Sequence, residues 1–186
     1  MQRVVRGNPV SIMKGGGLVA ASFVVVLAAT PSAMAVTQTK YYEFSAADAC
    51  QLSVPTTDTK VRPRANGYRN EGTSNQFVIC GMGGYERNTV LHMALLYTSM
   101  DGLAHSMSCT GVTGLAGSGS GSIYSTKTVD IAASGFSFAT WGAEDFGSGT
   151  DGDPIDQGLN LSVTCTLPPN VALQGFESEQ DIDVGN

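Results

Sequence analysis

His92 and His105 are the only histidines of the chain, and Asp101 with Ser99, Ser106 and Ser108 stands near enough in sequence to assemble a hydrolytic triad on paper. Such a triad requires an imidazole hydrogen-bonded to both partners inside a cleft. The local pattern favours another use. His92 alternates with Val90 among apolar neighbours in a β-rich run, and His105 lies beyond the Asp101-Gly102 turn. A secreted hydrolase using His92 or His105 is therefore the alternative reading, and no residue is assigned as catalytic. Gly135-Phe136-Ser137-Phe138-Ala139 has the outline of a nucleophile elbow, but its alternation continues where that motif would turn sharply into a helix. Gly147 to Gly152 fits GxGxxG to the letter, yet no helical pattern follows to aim amide groups at a phosphate, and the surroundings are acidic.

The acidic loop offers more. Asp145, Asp151, Asp153 and Asp156 stand close together, and Asp151, Asp153 and Asp156 present hard oxygen ligands on a glycine-rich backbone, a set that suits calcium. The spacing departs from the EF-hand loop, and ten acidic residues with no Lys or Arg follow position 127, so a solvated loop is the simpler account. Trp141 sits at a strand end beside this loop. It is a candidate ligand-binding residue because sugar rings stack on exposed aromatics, as are Tyr41, Tyr42 and Tyr85; core packing competes for the same ring.

Cys50, Cys80, Cys109 and Cys165 are an even set with no CxxC spacing. In an exported chain this favours disulfides over a zinc knuckle, and four cysteines leave three connectivities open.

Short β-rich segments separated by Gly, Ser, Asp and Asn clusters run through residues 41–184. Tyr41 to Ala46, Gln76 to Cys80, Thr89 to Ser99, Leu103 to Val112, Ser122 to Thr128, Val129 to Trp141, Leu159 to Leu167 and Val171 to Val184 read as strands. Asp101-Gly102 between two apolar runs predicts a hairpin pairing Thr89–Ser99 with Leu103–Val112. From Phe136 to Thr140 the side chains alternate, with Phe136, Phe138 and Thr140 on one face and Ser137 and Ala139 on the other; Leu159 to Leu167 alternates most cleanly. Flexible loops are expected at 55–74, 114–122 and 144–158. The fold class is all-β: an antiparallel β-sandwich, Ig-like or jelly-roll-like, with seven to nine short strands.

The strand ending Thr164-Cys165-Thr166-Leu167-Pro168-Pro169 resembles that of a group of uncharacterised secreted bacterial proteins. They carry a signal peptide, an early cysteine, a second at a strand end, a third after a short Tyr…Asp-Gly hairpin and a fourth in a CTLPP-like segment. The matching positions here are Cys50, Phe77 to Cys80, Tyr97 to Cys109 and Cys165 to Pro169. The resemblance implies a β-sandwich with bridges Cys50–Cys80 and Cys109–Cys165, and it brings no activity. The Gly-Ser run and the acidic loop are larger than in that group.

A chain of 186 residues points to one domain. Residues 1–35 have a basic start, the apolar run Leu18 to Ala29 and the small-residue end Ser32-Ala33-Met34-Ala35, the three parts of a secretory signal cleaved after Ala35; Met1 and Met13 both serve as candidate starts. The apolar run falls short of the roughly 20 residues a membrane helix needs, so no transmembrane anchor is expected after cleavage. Without a cysteine at the cleavage site or paired arginines, neither a lipid anchor nor a twin-arginine route is expected. Beyond position 35, seven Lys and Arg face 16 Asp and Glu, a net −9 that repels nucleic acid and anionic lipid. The sequence thus describes a secreted, periplasmic or extracellular, non-catalytic structural or interaction module spanning 36–186. Its expected partners are surface or extracellular polysaccharide or protein, and carbohydrate or calcium is the expected ligand of the 141–156 loop. A fimbrial-type subunit, with an unpaired leading segment around Thr37 to Phe44, is the further alternative.

Overall fold

The alternation of Leu161, Val163, Cys165 and Leu167 places four side chains in the interior, each at most 1% exposed, while Ser162, Thr164 and Thr166 between them face outward. The same period of two builds the rest of the fold. The computed structural model describes residues 36–54, 60–83, 89–117, 121–156 and 160–185; residues 1–35, expected to be a secretory signal, lie outside them. In chain order the elements are β1 (Thr37–Ser45), the one-turn helix α1 (Ala46–Ala49), β2 (Cys50–Leu52), β3 (Val61–Arg64), β4 (Gly67–Asn70), β5 (Gln76–Gly81), β6 (Val90–Ser99), β7 (His105–Gly114), β8 (Ser122–Ile131), β9 (Ser137–Gly142), a 3₁₀ turn (Ala143–Phe146), β10 (Ser162–Leu167) and β11 (Val171–Asp183).

Among the described residues eleven strands form two antiparallel sheets, a β-sandwich as expected but with more strands than the seven to nine predicted. One sheet runs β3-β4-β11-β6-β9, with β1 pairing β11 beside β4; the other runs β2-β5-β10-β7-β8. Apolar inner faces close on a single core whose largest fully buried side chains include Trp141, Tyr97, Phe176, Met93 and Leu95. Among the described residues no helix is long and apolar enough to cross a membrane.

Three expectations change. First, the Asp101-Gly102 turn does not close a hairpin, because β6 and β7 belong to different sheets. A two-residue type I′ hairpin turn needs positive φ at both residues, and here only Gly102 has it (73°). The inner faces of both strands, Met93, Leu95 and Tyr97 on β6 and Met107 and Cys109 on β7, each require an opposite apolar layer, so the chain arches across the core. Second, the stretch read as a loop at 55–74 carries the β3–β4 hairpin, with Arg64 opposite Gly67 across the turn Ala65-Asn66; 55–59 lie outside the described residues. Third, β7 and β8 pair to their ends, Gly114 opposite Ser122, which narrows the loop expected at 114–122 to the residues between them; 118–120 lie outside the described residues.

Both disulfides have the pairing that the resemblance implied. Cys50 faces Cys80 on β2 and β5, and Cys109 faces Cys165 on β7 and β10, with Cα atoms 4.0 and 4.1 Å apart. Each joins neighbouring strands of the five-stranded sheet on its core side.

Candidate functional site

The outer face of the six-stranded sheet follows from the pattern that fills the core. On β6, Met93, Leu95 and Tyr97 point inward, leaving His92, Ala94 and Leu96 half-exposed. On β11, Phe176, Ser178 and Gln180 are buried, which turns Glu177 and Glu179 outward. Ala139 and Trp141 of β9 are buried, which leaves Phe138 and Thr140 outside; β1 exposes Tyr41 and Glu43.

Strand register arranges these side chains in rows. Tyr41, Glu179, His92 and Gly142 form one row across β1, β11, β6 and β9; Glu43, Glu177, Ala94 and Thr140 form the next; Ser45, Gly175, Leu96 and Phe138 form the third. Ala94 in the second row and Gly175 in the third leave a trough between the strands. One depression of about 340 Å³ is lined by Glu43, Phe44, Ser45, Leu96, Gln174 and neighbours, and a second of about 240 Å³ by His92, Ala94, Thr140, Glu177 and Glu179. Glu177 lines both. The register of β11 on β6 skips Gln174 and Leu91, so a bulge stands toward each end of the trough; bulges re-aim side chains beside binding sites.

Two aromatic rings flank this trough at opposite corners, Tyr41 at 63% exposure and Phe138 at 71%. Strand spacing puts these corners about 14 Å apart across the sheet and about 13 Å along it. The Tyr41 hydroxyl donates to Glu179 Oε1 at 3.1 Å, which fixes the ring, and this bond with the nearby carboxylate charges raises its pKa. Exposed rings separated by acceptor-rich polar groups can stack on apolar ring faces and accept hydrogen bonds from hydroxyl groups.

His92 stands at one end of the trough. Nε2 lies 2.8 Å from Asp151 Oδ1 and Nδ1 lies 3.3 Å from Glu179 Oε2. Burial lowers its pKa, but hydrogen bonds and charge from Asp151 and Glu179 outweigh it, and the net shift is upward. His105 sits elsewhere, at the arch. There Asp101 Oδ1 lies 2.9 Å from His105 Nε2, accepts from Ser99 Oγ at 2.9 Å and from the Leu103 amide at 3.0 Å, while Asn170 donates to Oδ2 at 3.1 Å. The His105 and backbone bonds hold the Asp101 carboxyl well below the usual carboxylate range. Ser99 gives its proton to Asp101 rather than to an imidazole, so Ser99, His105 and Asp101 do not form a triad.

The Trp141 expectation is corrected. Its ring is fully buried, its Nε1 donates to the Ser125 carbonyl at 3.1 Å, and Lys127 Nζ lies 5.7 Å from the ring centroid, so no face is open to a sugar. The reason is parity: Trp141 shares the inward set of β9 with Ala139, and the outward set carries Phe138. Tyr42 is half-buried on the inward set of β1, and Tyr85 lies outside the described residues.

Asp151, Asp153 and Asp156, the residues expected to hold calcium, make separate contacts. Asp151 turns to His92, and Asp153 Oδ2 accepts from the Thr150 amide and hydroxyl at 2.8 and 2.9 Å. Asp156 is held through its backbone, its amide donating to Ser148 Oγ and its carbonyl accepting from Thr113 Oγ1. Asp145, the fourth acid of the loop, binds Lys127 Nζ at 2.7 Å. Among the described residues no group of three or more His, Cys, Asp or Glu is placed to hold a metal ion. The leading segment expected to be unpaired in a fimbrial subunit is paired with β11 from Thr37–Asp183 to Ser45–Gly175.

No family profile and no curated protein sequence matches the chain. Among solved structures it is similar to the xylan-binding module CBM15 (10% identity, TM-score 0.48, covering 77% of this chain and 97% of that one). It is also similar to a CBM4 module (9% identity, TM-score 0.34, 78% and 86%). A third is a family 11 carbohydrate-binding module from Clostridium thermocellum in complex with a β-1,3-1,4-mixed-linked tetrasaccharide (15% identity, TM-score 0.34, 77% and 86%).

Proposed function

We propose that this chain is a secreted, non-catalytic binding module that holds a polysaccharide across the outer face of its six-stranded sheet. The observation that carries the reading is the trough between Tyr41 and Phe138, two rings left open to solvent on a face otherwise supplied with carboxylates. Stacking on the rings provides apolar contact, and Glu43, Glu177 and Glu179 accept from sugar hydroxyl groups. The same carboxylates repel uronic acids and sulfated sugars, so the ligand is uncharged. Export is supported by the signal pattern of residues 1–35 and by two disulfides, which persist in oxidising compartments.

Affinity electrophoresis of the protein through gels containing soluble neutral β-glucan, xylan or polygalacturonate tests this. Retardation is expected in a neutral polysaccharide and not in polygalacturonate. Tyr41→Ala and Phe138→Ala are each expected to weaken it about tenfold, ~1.4 kcal/mol, with the melting temperature nearly unchanged because both rings are exposed. Equal retardation of both variants and wild type would remove the trough from the account.

A further inference from the structure

The bonds of His92 have a consequence beyond holding the trough wall. An ionised carboxylate only accepts hydrogen bonds, and both ring nitrogens of His92 face carboxylate oxygens, at 2.8 Å from Asp151 and 3.3 Å from Glu179. Both contacts are hydrogen bonds only when both nitrogens carry protons. A neutral imidazole has one N–H and can keep one partner; the other then meets a lone pair.

The two partners are unequal. Glu179 belongs to β11, has a side chain 27% exposed, and also accepts from Tyr41, whereas Asp151 is 84% exposed at the tip of a loop. The feet of that loop are fixed: the Ser148 amide and hydroxyl both donate to the Ala143 carbonyl, the Ile155 amide donates to Val90, and Ile155 is fully buried. Between the feet, Thr150 and Asp153 bond each other, so the turn is preformed and moves as a unit. Among the described residues, Asp151–His92 is the only side-chain hydrogen bond joining residues 149–154 to the six-stranded sheet. Gly149 and Gly152 give the tip its backbone freedom, Gly152 already at φ 87°.

The charged and titratable groups around the imidazole are mostly acidic. Glu177 and Glu179 come from β11, Asp151 from the tip, Glu144, whose Oε2 would lie 2.6 Å from a Cβ at Gly142 that His92 Cδ2 would meet at 3.0 Å, from the 3₁₀ turn, and the Tyr41 phenol from β1; β9 offers Gly142 and Thr140. Among the described residues none of these carboxylates is paired with Lys or Arg. Loss of the imidazolium charge leaves Asp151 facing like charges.

We infer that His92 is a latch at one end of the trough: its imidazolium ties the 149–154 tip to the sheet, and its deprotonation releases the tip. Any consequence of that release for ligand binding rests on the trough being the polysaccharide site; the latch itself does not. Since the His92 pKa is raised above its ordinary value of 6.5, the stabilisation from the latch is complete below that value and is lost as pH rises through the raised one.

Amide hydrogen exchange on the ligand-free full chain at pH 5.5 and 8.5, corrected for intrinsic rates, tests the latch. Residues 149–154 are expected to exchange about tenfold faster at the higher pH, with β10 and β11 unchanged as the internal control. His92→Gln, which cannot carry the charge, is expected to exchange fast at both pH values while retaining the wild-type melting behaviour at pH 8.5. Equal protection of the tip at both pH values, or a His92→Gln tip protected like wild type, overturns the proposal. Retardation in soluble neutral β-glucan and in xylan at the same pH values separates the two readings. A tip that loosens with no retardation at either pH leaves the latch standing and the proposed function overturned; retardation with a tip indifferent to pH does the reverse.

Discussion

Trp141→Ala is expected to lower stability by about 3–5 kcal/mol, the range for removing a large aromatic from a tight core. The site leaves little room for collapse. A Cβ added to Gly111 would lie 2.7 Å from Trp141 Cδ1 and 2.9 Å from the Met93 methyl, so the indole occupies space that β7 vacates by having glycine there. The substitution also leaves the Ser125 carbonyl without its indole donor and removes the ring beneath Lys127. Urea unfolding followed by far-ultraviolet circular dichroism measures the loss; Trp141→Phe, which keeps a ring, is expected to lose less than half as much. A loss below about 1 kcal/mol, accompanied by lost polysaccharide retention, would return Trp141 to the role its sequence position first suggests.

The second large effect is expected from Cys109→Ala combined with Cys165→Ala. Their bridge closes 56 residues, and on the loop-entropy argument it contributes about 4 kcal/mol. Both sulfurs sit on central strands in the core, the residues 0% and 1% exposed, so alanine leaves a void as well. Cys50→Ala with Cys80→Ala is expected to cost about 3.5 kcal/mol from its shorter closure, on the edge strand β2. Thermal melts of the two double variants should rank the central pair as the costlier. The reverse order would show that the bridges act through something other than the chain they close.

The strands were legible where one face is wholly apolar. Leu161, Val163, Cys165 and Leu167 define β10 unaided, and Val171 to Val184 foreshadows β11. Sheet assignment was not legible at Asp101-Gly102, because the same residue pair serves a hairpin or an arch, and the choice rests on what the inner faces of β6 and β7 meet across the core. The β3–β4 hairpin was hidden by Pro63 and by the charges Arg62, Arg64 and Glu71. Arg64 Nη2 meets Glu71 at 2.6 Å and Arg62 Nη2 meets it at 3.2 Å, holding the Glu71 pKa down to about 2.

The trough was only half-visible. Tyr41 stood among the candidate aromatics, and the alternation of β9 was read correctly, but period alone does not say which face is inward. There the usual expectation inverts: Phe138 is outside and the neighbouring alanine inside, because Trp141 already fills the core on that side. Glu177 and Glu179 counted only as part of an acidic C-terminal stretch until register placed them beside Glu43, Ala94 and His92.

Backbone amide shifts during titration with a neutral β-glucan oligosaccharide test the trough most directly. The account predicts shifts at Tyr41, Glu43, Ala94, Phe138 and Glu177, with silence at Thr110, Thr126 and Thr164 on the outer face of the five-stranded sheet. Shifts confined to that second face, or none with any neutral oligosaccharide while the protein remains folded, would contradict it.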